Sequence, residues 1–120
     1  MSQLNPGNPE IKAVLSTDRA IDTGKKYVHS DGVISPIFRK TLTIGALPNA
    51  TLKNVAHGET IALTKYARVA DFRADNGTNI MVAPSLTTTF MITATNVVVT
   101  TATDLSLYLR GIVTIEFCKS

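Results

Sequence analysis

An all-β domain is expected from three features of the chain. Segments whose apolar and polar residues alternate with period two follow one another, β-branched residues abound, and turn-forming clusters recur at short spacing. No convincing helical period interrupts them. At 120 residues the chain is the size of one small domain. Hydrophobic residues make up 44% of it and charged residues 18%, against about 25% charged in an average soluble domain. Such a chain can bury a core, and part of its apolar surface is expected to be covered by partner chains.

Residues 1–12 (MSQLNPGNPEIK) combine turn formers with little periodicity and read as a tail or attachment segment. Around Ala13–Ile21 either a short strand or a helical turn fits. The Asp22-Thr23-Gly24 and Ser30-Asp31-Gly32 clusters mark turns on either side of Tyr27. IFRKTLTI (37–44) then places Phe38, Leu42 and Ile44 on one face, with Lys40 breaking the pattern. TIALTKYARVA (60–70) alternates Ile61, Leu63, Ala67 and Val69 against Thr64, Tyr66 and Arg68. LTTTFMITA and NVVVTTAT form two β-branched runs with a hairpin break at Thr95-Asn96. The longest alternation is SLYLRGIVTIEF (106–117). It turns Leu107, Leu109, Val113, Ile115 and Phe117 inward, and Ser106, Tyr108, Arg110, Thr114 and Glu116 outward.

Strands at this spacing argue for an antiparallel sandwich or barrel, which periodicity does not separate. The fold class taken is an antiparallel β-sandwich of jelly-roll type. Residues 1–25 serve it as an N-terminal attachment segment and residues 26–120 form the domain. A threonine-rich strand region with few charges is an aggregation hazard unless oligomerisation covers its edges.

Composition also limits the function classes. The net charge of +3 comes from scattered Lys and Arg, and aromatics are 6%, so no nucleic-acid surface is expected. Cys118 is the single cysteine, which excludes an internal disulfide; a packed thiol is expected. The polar, proline-bearing start does not read as a signal peptide, and no apolar run is long enough to cross a bilayer. Synthesis in a cytoplasm, without membrane insertion, is the expectation.

His57, between Ala56 and Gly58, is either a catalytic group or a residue that ends a strand with its ring nitrogens bonded to backbone. The second reading is taken. His29 and His57 lack metal-ligand spacing, though a trimer axis is an arrangement that gathers three copies of one histidine. Asp71, Asp75, Asp104 and Glu116 make no defensible catalytic pair, and neither phosphate loop nor Gly-X-Ser-X-Gly elbow occurs. No catalytic residue, cofactor or metal site is assigned, and the chain is read as a non-enzyme. The segment Asp71–Gly77 (DFRADNG) is the most polar loop expected, with a turn at Asn76-Gly77. Phe72, Arg73, Asp75 and Asn76, supported by Tyr66 and Arg68, are the candidate receptor-binding residues, suited to hydrogen bonding and stacking on sugars.

The order of three motifs completes the reading. STDRAIDTGKKYVHSDG, then PIFRKTLTIGALPNATLKNVAHG, then TNVVVTTATDLSLYLRGIVTIEFCK resembles the C-terminal (knob) domain of bacteriophage and prophage tail-fibre proteins, over about residues 16–119. The motif residues Pro36, Arg39, Lys40, Pro48, Asn49, His57, Gly58, Asp104 and Glu116 look like scaffold in that family. The resemblance implies a virion protein, a homotrimer whose outer loops touch bacterial surface polysaccharide. It further implies attachment to a phage tail through residues 1–25. The alternative is a head-fibre or capsid-decoration protein docked through the same segment, with no specific receptor.

Overall fold

The computed structural model describes residues 19–119, and all regular structure among them is β. The strands are β1 (Ile21–Val28), β2 (Ile34–Gly45), β3 (Leu52–Ala56), β4 (Ala67–Asp75), β5 (Ile80–Met81), β6 (Thr88–Ile92), β7 (Asn96–Thr101) and β8 (Arg110–Phe117). They form a five-stranded sheet in the order β1-β2-β8-β4-β5 and a three-stranded sheet in the order β3-β7-β6. Every pairing is antiparallel. The two sheets pack face to face as a β-sandwich. Most of the segment 1–25, including the strand or turn expected at 13–21, lies outside the described residues. Ile21–Lys25 belong to β1, so the sheet begins before position 26.

The core lies between the sheets. The large sheet supplies Leu42, Ile44, Phe72, Ala74, Val113, Ile115 and Phe117, the small one Val97 and Val99, and connections add Leu47 and Ile61. Phe72 meets Phe90 across the sheets with ring centroids 5.3 Å apart. Each fully buried aliphatic or aromatic side chain contributes about 1.5–3 kcal/mol. These residues are the odd positions of β7 and β8 and the even positions of β2, as a period-two strand requires.

Gly111 is where the sheet tolerates no side chain. A Cβ there would lie 3.0 Å from both the Gly45 carbonyl oxygen and Leu47 Cδ2, at the irregular step where Gly45 pairs with Gly111.

Turn chemistry closes the hairpins. Gly32 takes φ +86° between β1 and β2, where Asp31 Oδ1 accepts the Val33 N–H. Thr93 Oγ1 accepts the Asn96 N–H between β6 and β7. Between β4 and β5, Asn76 Oδ1 accepts from the N–H groups of Thr78 and Asn79, and Gly77 takes φ +92°. That hairpin break and the one at Thr95-Asn96 stand where the sequence places them.

Four expectations need correction. Asp22-Thr23-Gly24 is a bulge inside β1 rather than a turn, with Asp22 Oδ1 accepting the Gly24 N–H. Residues 60–66 are not a strand: the Ala62 carbonyl accepts from Lys65 N–H and Tyr66 N–H, which folds the chain into a turn before β4. Asp71–Asp75 is strand, not loop. Residues 106–109 are a turn, with Asp104 Oδ1 accepting from the Ser106 N–H and hydroxyl. There Leu107 and Leu109 are exposed (77% and 56%), while half-buried Tyr108 packs on the core.

Candidate ligand-binding face

The chain after β3 turns a corner at His57, whose side chain is buried (1% exposed). Its Nε2–H donates to the Thr93 carbonyl at 2.9 Å, and its Nδ1 accepts the Glu59 N–H at 3.1 Å. Both nitrogens are therefore used on backbone, which fixes the tautomer with the proton on Nε2. Lys40 explains its break in the β2 pattern here. Its buried ammonium donates to the His57 carbonyl at 2.6 Å and to Glu59 Oε2 at 3.0 Å. His57 thus ends a strand and ties β3 to the β6–β7 turn.

A different arrangement occupies the outer face of the five-stranded sheet. Glu116 on β8 pairs with Arg39 of β2 on one side and Arg68 of β4 on the other. Arg39 donates through Nε and Nη2 to Oε2, and Arg68 through Nη2 to Oε1. Although Glu116 points away from the core, the two guanidiniums leave it 1% exposed. Arg39 first, and Arg68 with it, hold the carboxyl below the usual glutamate range despite burial. Glu116 in turn raises the Arg68 pKa, with Tyr66 as a further cause.

One end of this face carries aromatics. The Tyr27 and Tyr66 ring centroids stand 5.5 Å apart, tilted by 34°, over a small buried cluster of Ile37, Ala62 and Cys118. The His29 ring meets Tyr27 edge-on at 4.9 Å, and its Nε2 bonds the Ser35 hydroxyl. Burial raises the Cys118 thiol pKa, as suits a packed and unreactive group. Toward the other end, Thr41 and Thr114 hydroxyls bond across β2 and β8, with Asp71 paired beside Thr114. The face finishes at Arg73 and at Asp75, whose carboxylate takes Arg110 Nε and Nη2. Arg110 is the leading cause of the lowered Asp75 pKa. A depression of about 190 Å³ is lined here by Arg73, Asp75, Ile80, Arg110 and Ile112.

The sequence-derived candidates divide accordingly. Tyr66, Arg68, Arg73 and Asp75 share this outer face. A bulge at Ala70, where Val69 pairs with Ile115 but Asp71 with Thr114, shifts the phase of β4. It keeps Arg68 and Arg73 on one side and sends Phe72 to the other. Phe72 is 2% exposed and its ring packs on Phe90 in the core, which corrects its expected place on an exposed loop. Asn76 Oδ1 is committed to the turn. Tyr27, His29, Arg39, Arg110 and Glu116 complete the face and were not among the candidates. Alternation alone marks Arg39 as outward, but only cross-strand register brings it beside Glu116.

From Tyr66 to Asp75 the face runs about 25–30 Å along β4 at strand rise. It offers guanidinium donors, hydroxyls and two phenol rings, the groups that bond and stack on a polyhydroxylated chain. No protein-family model matches the sequence, and comparison with curated proteins and with solved structures likewise returns no match.

Proposed function

We propose that the chain is the knob of a phage virion fibre, a homotrimeric adhesin that binds bacterial surface polysaccharide through the outer face of its five-stranded sheet. The observation that carries this reading is the convergence of Tyr66, Arg68, Arg73 and Asp75 with Tyr27, Arg39 and Arg110 on that one face. The motif order shared with tail-fibre knobs and the all-β sandwich support it. Three copies on one axis would present three such faces, and their avidity suits a repetitive glycan.

Binding of labelled full-length protein to a panel of intact bacteria tests the proposal, with the oligomeric mass measured by light scattering. Saturable binding by a trimer, competed by extracted surface polysaccharide and lost in Arg68→Ala/Arg73→Ala, is the expected result. A monomer, or a trimer that ignores every strain, overturns it.

A second reading, a head-fibre or capsid-decoration protein held through the N-terminal segment, is favoured by the outer face of the small sheet. Met91 is exposed there opposite half-buried Val98, and Leu52 is exposed nearby opposite Thr100, apolar surface suited to another protein. Under this reading deletion of residues 1–18 abolishes virion attachment, and Arg68→Ala/Arg73→Ala changes nothing.

A further inference from the structure

We infer that the Tyr27–Tyr66–Arg39–Arg68 end of the outer face is a subsite for an acidic sugar, one that bears a carboxylate or phosphate; this deepens the adhesin reading and rests on it. Glu116 acts as a tether. One oxygen holds Arg39 through Nε and Nη2, and the other holds Arg68 through Nη2. Two guanidiniums from strands on opposite sides of β8 are thereby fixed side by side, each about half exposed. Nη1 of Arg39 has no hydrogen-bond partner among the described residues, while the Arg68 guanidinium also interacts with the Tyr66 hydroxyl. A guanidinium whose orientation is already set loses little entropy when it takes up an oxyanion, which favours binding.

The charge balance favours an anion. Two guanidiniums flank the one carboxylate of Glu116, and the Lys25 charge also acts on it. Asp22 Oδ1 accepts the Gly24 N–H within the β1 bulge, and Asp71, the next outward position of β4 after Arg68, stands beside Thr114 at the edge of the cluster. Beside the arginines stand the Tyr27 and Tyr66 rings, with Tyr66 two residues from Arg68 on the same face. Phenol rings there can pack on the C–H face of a pyranose while its acidic group reaches the arginines. A neutral sugar would meet the same donors with hydroxyls alone, a weaker match to two fixed cations. A nucleic acid would call for a longer basic track than this cluster provides.

The test is a titration of the full-length protein with oligogalacturonate, a phosphate-bearing mannan, neutral dextran and oligo-dT at two salt concentrations. Expected is binding to one or both acidic saccharides, the pair of probes telling carboxylate from phosphate. Arg39→Gln and Arg68→Gln should each weaken it at least about tenfold, as loss of a charge-assisted hydrogen bond implies. Lys53→Gln removes the same charge from the other sheet and should change it less than about twofold. Arg68→Lys keeps the charge and an ion pair to Glu116, so a loss in this variant reports the lost fork rather than misfolding. Glu116→Gln separates tethering from charge: it makes the cluster more positive, yet should weaken binding.

Equal binding to dextran, equal loss in Lys53→Gln, tighter binding by Glu116→Gln, or full competition by oligo-dT each overturns the inference. Saturable binding to bacteria without binding to either acidic saccharide overturns the inference alone. Absence of any binding to bacteria overturns the adhesin reading with it.

Discussion

Replacing His57 by alanine tests whether this histidine holds a corner or serves chemistry. The substitution removes the Nε2–H donor to the Thr93 carbonyl and the Nδ1 acceptor of the Glu59 N–H. Leaving a buried polar group unpaired costs about 1–3 kcal/mol. Thr93 and Glu59 are half-buried, so water relieves part of that, and about 1 kcal/mol each is the appropriate end of the range. Loss of packing around the ring adds about 1–2 kcal/mol. The sum, about 3–4 kcal/mol, is a large fraction of the 5–15 kcal/mol typical of a domain. Urea unfolding followed by circular dichroism is the assay. With a slope of about 1–3 kcal/mol per molar, the midpoint should fall by roughly 1–4 M. His57→Gln retains a donor and an acceptor and should recover part of the loss. A midpoint within about 0.3 M of the parent, together with loss of a ligand-dependent signal, would refute the structural role.

Three further outcomes follow from the same geometry. Lys40→Met strips the His57 carbonyl of its donor and leaves Glu59 with Lys119 at 3.7 Å, at a cost of about 3 kcal/mol; adding Glu59→Gln should give a combined loss at least about 1 kcal/mol below the sum of the two. Simple additivity in that cycle would show that the two groups are not coupled. Gly111→Ala drives a methyl against the Gly45 carbonyl and Leu47, costing about 1–3 kcal/mol and roughly 5–15 °C in Tm by calorimetry. Glu116 has a folded pKa below its unfolded value, so its stabilisation is complete above about pH 4.3 and is lost as pH falls through the depressed value. The stability difference between the parent and Glu116→Gln, measured from neutral pH down to about pH 2, should therefore shrink only below that point. A constant difference would contradict the assignment.

Much of the fold is legible because long strands declare their faces. Val113, Ile115 and Phe117 are where alternation places them, and the Thr95-Asn96 break is a hairpin. What the sequence conceals is mostly register and turn geometry. Lys40 looks like a flaw in an apolar face because its acceptors, the His57 carbonyl and Glu59, arrive from another strand connection. Leu107 and Leu109 continue the alternation of β8 on paper, but the Asp104-capped turn lifts them out. Leu63 and Tyr66 fit a strand pattern by accident of spacing, and hydrogen bonds to the Ala62 carbonyl bend the segment. The face that gathers Tyr66, Arg68, Arg73 and Asp75 was legible only as a polar stretch. A single extra residue at Ala70 decides which of its members point outward, and no periodicity rule anticipates a bulge.

The place of β8 bears on how the domain comes to exist at all. It lies at the centre of the large sheet, between β2 and β4, yet it follows both of them in chain order and is the last strand among the described residues, and Phe38 pairs with Phe117 across most of the sequence. A ribosome delivers that central strand after all its neighbours. Until then β2 and β4 have no partner to join them, and their apolar faces stay uncovered, while the β6–β7 hairpin can already close locally. Assembly must then wait on closing long loops, which makes folding slow and leaves nascent chains prone to mispairing. Production of this domain should accordingly respond to synthesis rate and temperature, with slower expression yielding more soluble protein.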